Sequence, residues 1–144
     1  MKLNPHVEVS YRMRLAQGFL RESIEAFQRS DYRGAVASAQ LCVENAAKAV
    51  IALFRVPSWS HDPSSELSVT IPSLPAKLRR KARLLASIAR RLASEHGRST
   101  YGLADRRVTP SMIYGEAEAK DALKDAKRAL RLAEAIPAGL GYAT

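Results

Sequence analysis

One cysteine, Cys42, occurs in 144 residues, so neither an internal disulfide framework nor a cysteine-based metal site is available to a single chain. Cys42 lies in an apolar stretch and reads as a core residue. No run of 18 apolar residues is present to cross a bilayer, and the N-terminal MKLNPHVEVS lacks the apolar centre of a signal peptide. A cytoplasmic protein without membrane contact is therefore expected. The chain also lacks a Gly-rich phosphate cradle and a G-x-S-x-G nucleophile turn. The three histidines, His6, His61 and His96, have no neighbouring cysteines or paired carboxylates, so no metal and no cofactor are expected. Asn and Gln are scarce and Arg outnumbers Lys 16 to 7, a balance that suits a thermophilic source.

Acidic residues are few as well. The net charge is +9, which favours polyanionic partners. Its distribution is uneven. Between Lys77 and Arg107 stand ten Lys and Arg residues against Glu95 and Asp105, which leaves +8 in this one stretch. Phosphate binding through Arg79, Arg83, Arg90, Arg98, Arg106 and Arg107 is one reading of that run. A solvated helix face balanced by acidic neighbours is the other. Trp59 and Tyr101 are candidates to stack on bases, or to cover the ends of the fold.

With 47% hydrophobic residues, the chain suffices for one domain over 1–144 with its own core. Val7, Tyr11, Leu15, Phe19 and Ile24, flanked by Leu20 and Phe27, recur at helical spacing from about Pro5 to Arg29. Ser30 or Asp31 suits the cap of a second helix, from about Tyr32 to Phe54, whose apolar residues occupy nearly its whole circumference. Pro57 ends it. Asp62 and Pro63 open a short turn through Leu67. A basic helix follows from about Leu74 to Glu95, with Leu78, Ala82, Leu85, Ala89 and Leu92 as its apolar seam. Gly97 reads as its terminator, and Gly97 to Gly115 as a long loop. A last helix spans about Glu116 to Ile136, stopped by Pro137 and Gly139. The pattern predicts an all-α, up-and-down four-helix bundle with a short extra helical turn.

The succession of features resembles the HEPN domain family. Glu44-x-x-x-Lys48 lies on a long second helix with an aliphatic end, a Pro-containing break follows, and His61-Asp62 stands before Leu67. Arg98 to Tyr101 and the link through Pro110 and Tyr114 are similar to the family's R-Y turn, and the likeness continues through Ala117, Ala122, Leu123 and Ala126. The resemblance implies a four- to five-helix bundle, often a homodimer. It implies either a metal-independent ribonuclease with an R-x(4–6)-H motif or a non-catalytic module associated with RNA or nucleotides. Members of the second kind are often encoded beside a small nucleotidyltransferase in toxin–antitoxin-like pairs.

The matching pair here is Arg91 with His96, or Arg90 with the same histidine. Metal-free RNA cleavage needs a base for the 2′-hydroxyl proton and a cation for charge growing on the phosphate, and His and Arg supply these. Leu92 follows Arg91 where active families carry a polar residue. Tyr101 lies five positions after His96 rather than two. The alternative is an exposed histidine at the end of a basic helix. His61 beside Asp62 is either a phosphate contact or a junction device in which Asp62 caps a turn. Three functions therefore stand open: a module binding RNA or nucleotides, a ribonuclease, and a protein-interaction module.

Overall fold

The computed structural model describes residues 4–142, and the remaining ends of the expected 1–144 domain lie outside it. Helix α1 covers Pro5–Gln28, α2 Tyr32–Ile51, α3 Ser64–Thr70, α4 Ala76–Ala93, α5 Glu95–Tyr101, α6 Pro110–Ile113 and α7 Glu116–Gly139. Single 3-10 turns at Ile71–Ser73 and Ala104–Arg106 join them. Among the described residues there is no strand, only an isolated bridge between Leu103 and Val108. The architecture is the expected all-α bundle of four long helices. None of these helices is long and apolar enough to cross a membrane.

Helix α2 is the central element. It packs against α1 and α7 along its length and against α3, α4 and α5 on the remaining side. Ala35, Ala39, Ala46, Ala47 and Ala49 are fully buried on it, as are Ala126, Ala129 and Ala133 on α7. These short side chains let the helix axes approach closely, so packing rather than side-chain bulk fills this part of the core.

The buried stripe of α1 differs from the expected one. Val9, Met13, Ala16, Ser23 and Ala26 face the core, whereas Val7 and Tyr11 are exposed. The small residues at 16, 23 and 26 admit α2, and the bulkier side chains are pushed to the flanks. At the entry to α2, Asp31 Oδ1 accepts the Gly34 N–H at 2.9 Å. A side chain at position 34 would meet that carboxylate, which would have to shift to admit it.

The helix ends also differ. Helix α2 finishes at Ile51 and unwinds through tighter turns to Arg55, before Pro57 can act on it. Gly97 does not terminate the basic helix. That helix breaks at Ser94 and α5 runs through Gly97; the stop is Gly102, in the left-handed region at φ 69°, where glycine alone is free of strain. The stretch read as a loop thus contains α5, a 3-10 turn and α6. Pro137 sits inside the last turn of α7, which continues to Gly139. There a missing N–H costs one hydrogen bond but does not force a stop.

Candidate functional site

On α2, Gln40, Glu44 and Lys48 follow one another at four-residue spacing, which places them on one stripe of the helix. All three are buried, at 2%, 6% and 3% exposure. A buried charge persists only if paired and hydrogen-bonded, and here the requirement is met. Lys48 Nζ lies 3.1 Å from Glu44 Oε2. Glu44 Oε1 accepts from Gln40 Nε2 at 3.2 Å and lies 3.0 Å from His61 Nδ1. Gln40 Oε1 in turn lies 3.1 Å from His96 Nδ1.

The donor directions follow from this chain. With the Gln40 amide nitrogen given to Glu44, its oxygen accepts from His96 Nδ1–H, while His61 Nδ1–H donates to the carboxylate. The two rings stack with centroids 3.6 Å apart and planes 17° from parallel. His61 is delivered by the segment between α2 and α3, and His96 by the first turn of α5. One potential ligating atom from each of Glu44, His61 and His96 lies within 4.8 Å of the others. His61 opens to solvent with 55% of its side chain exposed.

Asp62 turns away from this cluster and accepts the Ser64 N–H at 3.1 Å, so α3 starts one residue after Pro63 with its first N–H satisfied. Arg91 also points elsewhere, its guanidinium donating to Asp125 of α7 at 2.8 Å. His96 and Arg91 thus have different partners. Arg90, one residue earlier, lines a groove of about 460 Å³ between α3 and α4, together with Arg83, Ser64, Ser65, Ser68 and Ser87. Among the described residues no acidic side chain lines this groove, and the two guanidinium groups stand there beside hydroxyl donors.

The other basic residues are distributed differently. Arg79 donates to the carbonyls of Leu74 and Pro72, at 2.9 and 3.1 Å, and so fastens the entry to α4. Arg98 sits 3.6 Å from Glu95, with its Nε buried and without a partner. It lines a second cleft of about 270 Å³ that mixes Arg91 and Arg98 with Glu95, Glu118, Asp121 and Asp125, so acidic groups outnumber basic ones there. Within it, the Tyr114 hydroxyl donates to Glu95. Burial, reinforced by this bond and by the Glu95 charge, raises the Tyr114 pKa above its usual value, while Arg98 opposes the rise. Arg106, Arg107, Tyr101 and Trp59 are exposed, Trp59 at 94%.

Sequence reasoning missed the meeting of Glu44, His61 and His96, and the serine lining of the groove. The available signal was the polar stripe Gln40, Glu44, Lys48 on an otherwise apolar helix, since three polar residues on one buried line must face partners.

The HEPN domain family matches residues 9–136 of this chain. None of the curated proteins matches it at a significant level. Among solved structures, TT1696 from Thermus thermophilus is similar, with a TM-score of 0.68 and 22% sequence identity over 88% of this chain and 96% of that one. At that identity the likeness shows a shared fold.

Proposed function

The chain belongs to the HEPN family, and from that premise we propose that it is a homodimeric helical module binding RNA or a nucleotide through its basic face. The observation that carries the reading is the groove between α3 and α4. Arg83 and Arg90 lie two helical turns apart, on one side of α4, with Ser87 between them and three α3 serines opposite. Two guanidinium groups beside hydroxyl donors, with no carboxylate among the described residues that line the groove, are the chemistry of phosphate recognition.

Exposed Val7, Tyr11, Phe54, Val56 and Trp59, at the start of α1 and after α2, support the homodimer, since apolar side chains of this size in solvent favour a partner. The apolar circumference of α2 supplies no such argument, being covered within the chain. A small nucleotidyltransferase as toxin–antitoxin-like partner follows from the family resemblance alone.

Fluorescence anisotropy of labelled single-stranded RNA between 50 and 200 mM salt tests the groove. Each phosphate contact contributes about −0.7 to the slope of log affinity against log salt. Replacing Arg83 and Arg90 together by Ala is expected to lower that slope by about 1.4. Salt-independent binding, or an unchanged slope in the double variant, refutes the reading. Sedimentation at micromolar concentration tests the dimer, and a monomer refutes it.

A second reading, the metal-independent ribonuclease, is favoured by His96 being oriented by Gln40 and stacked on His61, as a positioned base or acid requires. Arg91 has to leave Asp125 to join it. RNA cleavage in EDTA that disappears in both His96→Ala and Arg91→Ala supports this reading, and cleavage that survives either removes the proposed pair.

A further inference from the structure

We propose that Glu44, His61 and His96 form a binding site for a divalent transition-metal ion of the zinc class, with two imidazole nitrogens and one carboxylate oxygen as ligands. These residues come from α2, the α2–α3 connection and α5, and 52 positions separate the first from the last. The donor set is that of an open, three-ligand zinc site, in which a fourth position is left for water or an anion. Imidazole nitrogens select Zn²⁺, Co²⁺ or Ni²⁺ over the oxygen-seeking Mg²⁺ and Ca²⁺.

Part of the required geometry is already present. His61 Nδ1 and Glu44 Oε1 are 3.0 Å apart, near the ~3.3 Å edge that metal–ligand bonds of about 2.0–2.1 Å give a tetrahedron. The ion replaces the proton shared by this pair and sits off the line between them, at the centre of the tetrahedron. His96 closes from within 4.8 Å. Two rings on one tetrahedral ion cannot remain parallel at 3.6 Å, so they fan apart as the ion enters. His61 has the freedom to do this because it is largely exposed and held by the connection rather than by a helix.

The surroundings resemble an outer ligand shell. Gln40 orients both the carboxylate and His96, and outer partners of this kind fix ring orientation at metal centres. Lys48 holds the other carboxylate oxygen, Oε2, at 3.1 Å. Its charge opposes a second cation, yet leaves Oε1 facing the histidines. Solvent access past His61 supplies the open coordination position.

The test is a titration of the metal-stripped full chain with Co²⁺, followed by displacement with Zn²⁺, monitored by visible absorption and calorimetry. The expected result is one ion per chain, a tetrahedral cobalt spectrum and loss of that spectrum on zinc addition. His61→Ala, whose exposed side chain leaves the core intact, and His96→Ala are each expected to weaken binding more than about 100-fold, beyond the 10–100-fold effect of outer-shell changes. His6→Ala is expected to change nothing, and circular dichroism checks that every variant remains helical. No cobalt spectrum at millimolar metal overturns the proposal, as does binding that survives both His61→Ala and His96→Ala.

Discussion

Replacing Glu44 by Gln is the most direct probe of the polar stripe inside this bundle. The substitution keeps the shape of the side chain but removes the negative charge bonded to Lys48, whose side chain is 4% exposed. Breaking a buried ion pair from one side costs about 3–5 kcal/mol, because the remaining charge loses both water and partner. That is a large part of the ~5–15 kcal/mol stability of an ordinary domain. At about 2–4 °C per kcal/mol for chains near this size, the melting temperature is expected to fall by on the order of 10 °C. Urea unfolding followed by helical circular dichroism measures the cost. Adding Lys48→Met removes the stranded ammonium, so Glu44→Gln with Lys48→Met is expected to be more stable than Glu44→Gln alone, and within about 1 kcal/mol of the parent. A single-variant cost below about 1 kcal/mol, or additive losses in the double variant, refutes the reasoning.

Burial pushes the Cys42 thiol up to about 12, so a thiol reagent at pH 8 is expected to leave it untouched in the native protein and label it fully in denaturant. Tyr114 has a raised pKa through burial and its bond to Glu95; its contribution to stability is intact below the ordinary tyrosine value near 10 and is lost as pH rises beyond it. Tyr114→Phe is therefore expected to cost about 1–3 kcal/mol at pH 7 and to abolish that alkaline loss, as urea midpoints at pH 7 and pH 11 will show. Gly102→Ala forces a side chain into the left-handed region and against the Val108 carbonyl; a loss of more than about 1 kcal/mol is expected in the same assay.

The legibility of this protein in its sequence varies by element. Leu78, Ala82, Leu85, Ala89 and Leu92 of α4 were readable as a seam and are buried as such, because a periodic apolar stripe has one way to face a core. The start of the α1 stripe was misread, with Val9 and Met13 buried in place of Val7 and Tyr11, whereas Phe19, Leu20 and Phe27 do pack against the core; small residues carry little hydropathy signal although they decide which face admits a neighbour. Gly97 and Pro137 looked like stops because the local preferences of glycine and proline are strong. Neither stops its helix in the fold, where α5 continues past the first and the last turn of α7 tolerates the second.

The sequence by itself determined an all-α bundle, its long helices, the basic character of α4 and the resemblance to the HEPN family, since periodicity, breakers and charge are local properties. Only the tertiary structure decided which charged groups are free. It joined Arg91 to Asp125 and Arg79 to two carbonyls, left Arg83 and Arg90 facing a serine-lined groove, and stacked His61 on His96 beside Glu44. These pairings depend on how helices distant in the chain cross and on which buried polar group must find a partner, and no local pattern encodes that.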